Sequence, residues 1–538
     1  MTIGFLVVLG PSRPRIRTST CGRLHMSCSG GHDNGPSRLE AEVVNPDDDK
    51  LKEECGVFGA WGVPDAARAC YYGIHALQHR GQEGAGIVAS DGEYLKEEKG
   101  LGLVSEVFNE NLLQSLPGSS AIAHNRYSTA GGKNVKNVQP FTVDFREGQV
   151  SIAHNGNLTN AVVLRSELEL RGSIFTTSSD TEVVLHLMAG SVHASRSSQA
   201  FGLQRRVADA LNRVEGAFSI LVLVKDRLVA VRDPFGFRPL VMGRLGTGVV
   251  FASETSAFDI IGAEYVREVE PGEMVVVNSD GTQSSSPFPR QRRRACVFEH
   301  IYFSRPSSAV FGRSVYMSRY RFGEILAGVS QVDADIVVPV PESGIPSALG
   351  YAQASGIPFQ MAIMRSSYVG RTFIQPTQSI RDIGVKLKLS PVRELIEGKS
   401  LVVVDDSIVR GTTSRKIVRM LRECGAREIH VRIACPPIIG SCYYGVDTPD
   451  RGELISFKQT VEETRDYIGA DSLAYLPLNR LQDFLGAEAA TYCFGCFSAN
   501  YPVLPLDADG VEMEIAPLDA KHTTATLEEL HALEAQKT

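Results

Sequence analysis

A buried strand, a short polar loop and the first turn of a helix follow one another in Leu401-Val-Val-Val-Asp-Asp-Ser-Ile-Val-Arg-Gly-Thr-Thr-Ser414. The four apolar residues predict a buried strand, and Asp405 and Asp406 stand at its carboxyl end. Gly411 lets the backbone approach a ligand closely, and the helix that follows offers free N–H groups to an anion. Because ligands of open α/β sheets bind at the carboxyl ends of strands, the run predicts a phosphate site.

The two adjacent carboxylates add a second function to this site. Asp405 and Asp406 are suited to hold ribose hydroxyls or a hydrated Mg²⁺ ion. An isolated Asp-Asp pair would instead be a local cap of the strand-to-helix turn. The complete run of strand, carboxylates, glycine and hydroxyl residues favours the ligand site.

The same order of strand and helix precedes this run, and a further strand follows it. Branched apolar residues predict a strand at 336–340, which a helical pattern at 343–353 follows. After the central strand, a helical pattern at 412–424 leads to a third strand at 429–434. Parallel strands need crossover connections, which helices usually supply. This part of the chain therefore predicts a parallel sheet flanked by helices.

The preceding part of the chain is richer in strands and predicts layered α and β structure. The patterns predict strands at 55–61, 149–153 and 217–224, and helices at 180–189 and 204–214.

Residues 281–295 separate these two parts. They contain three consecutive serines, two prolines and the basic run Arg290 to Arg294. Such a composition predicts a solvated linker between two domains.

Length and composition limit the functional classes. The chain has 538 residues, 43% of them hydrophobic and 22% charged, which is typical of globular domains. The formal net charge of -7 argues against a nucleic-acid-binding protein, which would usually carry a strong basic face. No stretch approaches the roughly 18 apolar residues of a membrane span.

The two ends of the chain differ from its centre. The first 32 residues carry Arg13, Arg15, Arg17 and Arg23 and no acidic residue, which is typical of an organellar transit peptide. A secretory signal fits less well because the basic residues follow the apolar run, and a tail without any address is the remaining alternative. The acidic C-terminal tail carries a capping-box pattern in Thr526-x-x-Glu529.

The central run resembles the phosphoribosyl pyrophosphate motif of type I phosphoribosyltransferases. That resemblance implies that Asp405 and Asp406 contact the ribose hydroxyls. It also implies that the 5-phosphate is bound by the loop and helix start, namely Ser407, Arg410, Gly411, Thr412, Thr413 and Ser414.

Two further segments resemble parts of that family's site. Val338-Pro-Val-Pro-Glu-Ser-Gly344 is similar to the loop that holds the pyrophosphate, with Ser343 as a Mg²⁺ contact. Residues 365–375 are similar to a mobile lid over the charged substrate. Lys386 and Lys388 are additional candidates for contacts with the diphosphate.

The strand-rich part resembles the class II glutamine amidotransferases, which are N-terminal-nucleophile hydrolases. The resemblance rests on five runs: Cys55-Gly-Val-Phe-Gly59, His79-Arg-Gly-Gln-Glu-Gly84, His124-Asn-Arg-Tyr-Ser-Thr-Ala-Gly131, His154-Asn-Gly-Asn157 and Ser178-Ser-Asp-Thr-Glu182.

This family's chemistry explains the residue types. A carboxamide is a poor electrophile, so a thiolate must attack it, and the α-amine of an N-terminal Cys55 can take the thiol proton. The resemblance implies that the Asn155 side-chain amide and the Gly156 N–H stabilise the oxyanion. Arg126 suits the α-carboxylate of glutamine and Asp180 its α-ammonium group. Cys55 must first be exposed by removal of 54 residues.

The chain contains ten cysteines, too few for a disulfide scaffold of this length. Cys493-x-x-Cys496 has spacing that suits a shared metal, and Cys296 and Cys442 lie in runs that resemble iron–sulfur members of the family. Four thiolates suit one [4Fe–4S] cluster per subunit, and zinc and free thiols are the alternatives.

Taken together, the motifs resemble the amidophosphoribosyltransferase family from Cys55 to about Pro502. The implied fold is an N-terminal-nucleophile αββα sandwich followed by a phosphoribosyltransferase parallel-sheet domain. The expected segments are a leader (1–54), an amidotransferase domain (55–285), a phosphoribosyltransferase domain (286–505) and a tail (506–538).

The implied reaction hydrolyses glutamine and transfers its ammonia to phosphoribosyl pyrophosphate, giving 5-phosphoribosylamine. We expect one Mg²⁺ per subunit, inhibition by purine nucleotides, a homo-oligomer, and no nucleic-acid or membrane partner. The expected location is the plastid stroma, with the cytoplasm as the alternative. An amidotransferase with another acceptor and a phosphoribosyl-pyrophosphate sensor with an inactive amidase are the rival functions.

Overall fold

Two antiparallel sheets form the first half of the protein. The computed structural model describes residues 55–127, 134–145, 148–191, 199–366, 389–507 and 510–513, all within one compact unit. The strands of this half are β1 (Gly56–Trp61), β2 (Gly84–Ser90), β3 (Leu95–Leu101), β4 (Ser120–Arg126), β5 (Phe141–Phe145), β6 (Gly148–Leu158), β7 (Gly216–Val224), β8 (Arg227–Arg232), β9 (Val241–Leu245), β10 (Gly248–Ala252), β11 (Glu264–Glu268), β12 (Met274–Asn278) and β13 (Gly281–Ser285).

The two sheets have the strand orders β11-β9-β10-β1-β4-β2-β3 and β13-β12-β8-β7-β6-β5. Their inner faces meet in an apolar core that includes Val57, Ile122, Leu221 and Phe251. Helices pack on the outer face of each sheet, so the half is the αββα sandwich that the sequence predicted. The helices are α1 (Ala66–Ala76), α2 (Val104–Val107), α3 (Glu110–Gln114), α4 (Ala161–Leu170), α5 (Thr181–Ala189), α6 (Gln199–Leu211) and α7 (Ser256–Ile261).

The second half contains a four-stranded parallel sheet. The strands of this half are β14 (Ala295–Cys296), β15 (Ala309–Val310), β16 (Arg313–Ser314), β17 (Ile336–Pro339), β18 (Ile363–Arg365), β19 (Leu389–Pro391), β20 (Ser400–Asp405), β21 (Glu428–Ile433), β22 (Ser472–Tyr475) and β23 (Tyr492–Cys493). The parallel sheet has the strand order β17-β20-β21-β22, and branched apolar residues such as Val337 and Val403 fill these strands because helices cover both faces.

Helices connect these strands as the alternating pattern predicted. The helices are α8 (Val315–Val329), α9 (Ile345–Ser355), α10 (Arg393–Ile396), α11 (Thr412–Glu423), α12 (Ile455–Lys458), α13 (Val461–Ile468), α14 (Leu478–Leu485) and α15 (Gly495–Ser498). No helix in the described parts of the chain is long and apolar enough to cross a membrane.

The prediction of a solvated linker at 281–295 was wrong in two respects. Gly281–Ser285 forms the edge strand β13, paired with β12. Its Ser, Thr and Gln side chains are exposed, so the strand lacks the apolar alternation by which strands are recognised. The basic run is also not fully solvated, because Arg293 lies 3.5 Å from Glu268 and the Arg294 backbone N–H donates to the Phe235 carbonyl at 2.7 Å.

A short parallel pairing ties the beginning of the second half to its end. Strand β14 pairs with β23, which places Cys296 opposite Cys493. The following residues, Glu299–Phe303, form one π-helical turn whose side chains are almost all buried. The predicted capping box at Thr526 lies outside the described residues.

Candidate functional site

The carboxyl ends of β17 and β20 bring two loops together. Asp405 and Asp406 are buried there, and the Val340 N–H donates to the Val404 carbonyl at 2.9 Å. The Ser343 hydroxyl donates to Asp406 Oδ1 at 2.5 Å, although the two residues are 63 positions apart. The loops predicted to hold ribose and pyrophosphate therefore meet at one edge of the sheet. Carboxylate and hydroxyl oxygens at this point are ligands of the kind that Mg²⁺ prefers.

The predicted phosphate loop leads directly into α11. Gly411 has a φ of +79°, and a Cβ atom there would stand 2.8 Å from Ile455 Cδ1, so the turn requires glycine. Thr412 begins the helix, and its hydroxyl oxygen is buried without a hydrogen-bond partner in the described structure. A buried hydroxyl at a helix N-terminus is suited to a bound anion. Arg410 Nε donates to Glu453 at 2.9 Å at the edge of the loop.

The remaining phosphate-loop residues flank this turn. The Ser407 hydroxyl donates to Asp406 Oδ2 at 2.6 Å, and Ser414 is buried in the first turn of α11 beside the partly exposed Thr413.

The described end of the predicted lid lies beside the pyrophosphate loop. Arg365 on β18 is 3.7 Å from Glu342, and both side chains are exposed. The rest of the lid from position 367, together with Lys386 and Lys388, lies outside the described residues.

The predicted nucleophile stands at the start of β1. Cys55 is partly buried, and its Sγ donates to the Tyr127 carbonyl at 3.7 Å. Burial raises the pKa of this thiol to about 11, despite the nearby positive charges of Arg126 and Arg80. Asp180 is also close enough to act on the thiol electrostatically. With the preceding residues still attached, the thiol is therefore protonated at neutral pH.

The second sheet contributes the predicted oxyanion residues. Asn155 and Gly156 lie on β6, and the Ser253 hydroxyl links them to the nucleophile strand. That hydroxyl accepts from the Val57 N–H at 3.0 Å and from Asn155 Nδ2 at 3.4 Å. Gly156 has a φ of +148°, and a Cβ atom there would stand 2.1 Å from the Ala217 carbonyl oxygen. Only glycine fits this position, so the local strand path depends on it.

The two charged residues predicted for glutamine binding flank Cys55. Arg126 ends β4 and is buried, whereas Asp180 precedes α5 and is partly exposed. Asp180 Oδ2 accepts from the Leu158 N–H at 2.9 Å, which fixes the carboxylate beside the end of β6. One positive and one negative charge near a thiol suit the two charged ends of an amino acid.

A buried ion network connects the two halves of the chain. Arg80 contacts Glu254 from the first half and Glu299 from the second, where the Arg80 Nη2–Glu299 Oε1 distance is 2.6 Å. Arg238 lies 3.2 Å from the same Glu299. Burial opposes ionisation of Glu299, but Arg80 and Arg238 hold the pKa of its carboxyl below the usual value. All four side chains are nearly inaccessible to solvent.

Sequence reasoning assigned no role to this network. Arg80 lies inside a run that was quoted for another reason, the one that starts at His79, whereas Glu254 and Arg238 lie outside every quoted run. Nothing local showed that these residues pair. Arg319 was missed entirely. It is buried on α8, donates to the His300 carbonyl at 3.0 Å, and is influenced electrostatically by both Asp406 and Glu254.

The four candidate cluster cysteines come together from three segments. They line one small cavity whose other walls are largely aromatic and aliphatic; the four are Cys296, Cys442, Cys493 and Cys496. Burial raises the pKa of each thiol above its usual value, and the positive charge of Arg238 opposes this at three of them. Metal binding would displace the protons. Within the described ranges, no group of three or more His, Cys, Asp or Glu side chains is already arranged so that it could hold a metal ion.

Comparisons with known proteins agree with both halves. A family model described as a glutamine amidotransferase domain matches residues 124–259, and one described as a phosphoribosyl transferase domain matches residues 324–455. The chain is 59% identical to amidophosphoribosyltransferase 1, chloroplastic, of Arabidopsis thaliana, covering 86% of this chain and 81% of the relative. It is 49% identical to the amidophosphoribosyltransferase of Bacillus subtilis, covering 84% and 94% respectively.

A solved structure is similar over nearly its whole length. Glutamine phosphoribosylpyrophosphate amidotransferase from B. subtilis, complexed with ADP and GMP, matches with a TM-score of 0.80 and 47% identity. The match covers 85% of this chain and 99% of that one.

Proposed function

The chain belongs to the amidophosphoribosyltransferase family, and from this membership we propose how its own residues carry out the family's reaction. The enzyme takes ammonia from glutamine and transfers it to phosphoribosyl pyrophosphate in purine biosynthesis. The products are 5-phosphoribosylamine, glutamate and pyrophosphate. One observation supports the residue assignment: Cys55 lies near Arg126 and Asp180, although the sequence separates them by up to 125 positions. The Ser253 hydroxyl also joins Asn155 on β6 to Val57 on the Cys55 strand.

Amide hydrolysis takes place at Cys55 once it is the first residue. Its α-amine, which titrates near about pH 8, takes the thiol proton, and the thiolate attacks the carboxamide carbon. The Asn155 side-chain amide and the Gly156 N–H donate to the oxygen that becomes negative, an effect worth a few kcal/mol per donor. The amine returns the proton to the leaving nitrogen, and water then hydrolyses the thioester to glutamate.

Substrate charges fix the orientation of glutamine. The Arg126 guanidinium pairs with the α-carboxylate, and the Asp180 carboxylate accepts from the α-ammonium group. Because both charged residues lie near Cys55, binding the two charged ends of glutamine there would hold its side-chain carboxamide close to the thiol.

Ammonia transfer takes place at the edge of the parallel sheet. Asp405 and Asp406 accept from the ribose hydroxyls, while the backbone N–H groups at Gly411 and Thr412 donate to the 5-phosphate. The ammonia nitrogen bonds to the anomeric carbon as the carbon–oxygen bond to pyrophosphate breaks, and the amine then loses a proton. Holding the ribose in one orientation would align its anomeric carbon for this attack.

We propose that this site holds one Mg²⁺ per subunit, as the resemblance to type I phosphoribosyltransferases implies. Asp405, Asp406 and Ser343 offer oxygen ligands at the point where the two loops meet. Substrate oxygens and water would complete the coordination, as is usual for Mg²⁺. Such an ion would neutralise the charge that develops on the departing pyrophosphate.

We propose that residues 1–54 combine a plastid transit peptide with a propeptide that ends at Glu54. The relatives from Arabidopsis thaliana and Glycine max are named chloroplastic, which supports a plastid location. The boundaries proposed for the mature domains remain 55–285 and 286–505. Purine nucleotides are the proposed inhibitors, because the B. subtilis structure contains ADP and GMP.

Mass spectrometry of protein isolated from stroma is expected to find Cys55 as the first residue. The mature thiol is expected to react with iodoacetamide at pH 7. In a chain that retains residues 1–54, burial keeps the pKa of the thiol near about 11, so alkylation should rise only as the pH approaches that value. A chain with Cys55→Ala is the control for the labelled site. A retained leader in active enzyme would contradict the α-amine mechanism.

We also propose that Cys296, Cys442, Cys493 and Cys496 hold one [4Fe–4S] cluster per subunit. The four thiols line one small cavity, and four thiolates suit either a [4Fe–4S] cluster or a zinc ion. The resemblance of the Cys296 and Cys442 runs to iron–sulfur members of the family favours the cluster. A cluster here would hold the pairing of β14 with β23 and so stabilise the end of the chain.

Protein purified without air is expected to be brown, to absorb broadly near roughly 400 nm and to contain about four irons per chain. Cys493→Ser should lower the melting temperature by roughly 5 °C or more and accelerate inactivation by oxygen. Cys424→Ser is the matched control, since Cys424 is buried outside the cavity. A colourless protein with one zinc per chain, or with no metal, would contradict the cluster.

A further inference from the structure

A loop from the second half lies directly against the proposed oxyanion strand. This loop, residues 442–446, is called the cysteine loop because it begins at Cys442. Asn157 Nδ2 on β6 donates to the Tyr443 carbonyl at 3.0 Å. Gly445 has a φ of +106°, and a Cβ atom there would stand 3.0 Å from both Cα and the carbonyl carbon of Gly156. The backbones of the two glycines therefore touch with no room for a side chain.

The cysteine loop is held firmly on its other sides. The Tyr444 ring stacks on Phe237 of the first half, with 4.1 Å between ring centroids. The Tyr444 hydroxyl donates to the Val503 carbonyl at 2.7 Å, and the Cys442 N–H donates to Thr448 at 2.7 Å. Because the loop is fixed to both halves, it is a stable support for whatever it touches.

Gly156 needs such a support. Its φ of +148° lies in a region that only glycine adopts readily, and the strand β6 ends two residues later, at Leu158. An oxyanion donor acts only when its N–H points at the place where the negative oxygen forms. A displacement on the order of 1 Å is enough to lose much of that effect.

We propose that the cysteine loop is part of the glutamine site, with Asn157 and Gly445 as positioning residues for the Gly156 N–H. This inference rests on the oxyanion role proposed for Gly156. The loop does not touch the substrate in this assignment. It sets the path of β6, and it does so from a segment that begins at one of the four clustered cysteines.

Gly445→Ala tests the backbone contact, and Asn157→Leu tests the hydrogen bond with a side chain of similar size. The control is Gly281→Ala, because Gly281 has a comparable φ of +116° but has open space around it. Each test variant is expected to lower kcat for glutamine hydrolysis about tenfold or more, with KM for glutamine within about twofold. Ammonia-dependent synthesis should stay within about twofold of the parent, as should both activities of the control.

Binding of a transition-state mimic gives a readout that does not depend on turnover. An analogue of glutamine with an aldehyde in place of the carboxamide adds reversibly to the Cys55 thiol and forms a tetrahedral oxyanion. Its Kd should rise by the same factor by which kcat/KM falls, while the Kd of glutamate should not change. Iron per chain is measured in every variant, so that the comparison is made at equal metal content.

The outcomes separate this inference from the function on which it rests. Asn155→Ala removes a proposed donor directly and should lower kcat by about 10²–10³-fold. If Asn155→Ala has this effect and both positioning variants have none, the loop has no positioning role. The positioning role would also be overturned if Gly445→Ala and Asn157→Leu lost ammonia-dependent synthesis to the same extent as glutamine hydrolysis. An unchanged Kd for the aldehyde in these variants would overturn it as well. If Asn155→Ala also leaves kcat unchanged, the oxyanion assignment itself is wrong.

Discussion

Cys55→Ala is expected to reduce glutamine-dependent synthesis of phosphoribosylamine by at least about 10³-fold and to leave ammonia-dependent synthesis within about twofold. The thiol serves only to release ammonia, and the acceptor site is built from another half of the chain. Both activities would be measured as pyrophosphate release, with glutamine or with an ammonium salt as the nitrogen donor.

The matched control for this variant is Cys70→Ala. Cys70 is a buried thiol of the same half; it lies on α1, with its side chain in the apolar core. Burial raises its pKa well above the usual value, and its place in the apolar core keeps the thiol out of reach of a substrate. The control should lose some stability and keep both activities. Equal loss of both activities in Cys55→Ala would show that the two reactions do not divide between the two halves as proposed.

The double substitution Asp405→Asn and Asp406→Asn is expected to abolish synthesis with either nitrogen donor, by at least about 10³-fold. Both reactions require a bound ribose and an ion beside it, and neutral amides replace neither carboxylate at a Mg²⁺ site. Glutamine hydrolysis should survive at a low level. Removing two adjacent negative charges from a buried position should not lower the melting temperature, so thermal unfolding distinguishes lost chemistry from lost folding.

Asp335→Asn is the control for that variant. Asp335 accepts from the Ser400 N–H at 2.7 Å, at the opposite end of the same strand β20. This control therefore tests whether loss of any carboxylate beside β20 is enough to stop synthesis. Near-normal ammonia-dependent synthesis in the double variant would contradict the assignment of the acceptor site.

Elements with a local signature were predictable from the sequence. The strand β20 and the helix α11 follow from an apolar run, a glycine and hydroxyl residues that are adjacent in the chain. The prediction for α9 began two residues early, at Ser343. Ser343 instead directs its hydroxyl to Asp406, and Gly344 lies where a Cβ atom would stand 2.6 Å from the Val404 carbonyl oxygen. Contacts with the neighbouring strand therefore delay the start of this helix.

Features that depend on distant partners were not predictable. Arg80 and Glu299 are 219 positions apart, and each looks like an ordinary surface charge in its own segment. Of the cysteine loop, the sequence singled out only Cys442, as a candidate cluster ligand. Nothing local indicates that Gly445 contacts Gly156. Conversely, the exposed strand β13 was missed because pairing with β12, and not burial, makes it a strand.

The ion network of Arg80, Glu254, Glu299 and Arg238 limits how this protein can be recombined. Breaking a buried ion pair by removing one partner typically costs about 3–5 kcal/mol, comparable to much of a domain's net stability. A chimera joined at Ser285 would separate Arg80 from its native Glu299. The natural breakpoint for exchanging acceptor domains therefore lies after the π-helical turn Glu299–Phe303. The amidotransferase half then keeps Glu299, whose carboxylate neutralises Arg80. A gene fusion that carries the amidotransferase half therefore has to include residues beyond the last strand of that half.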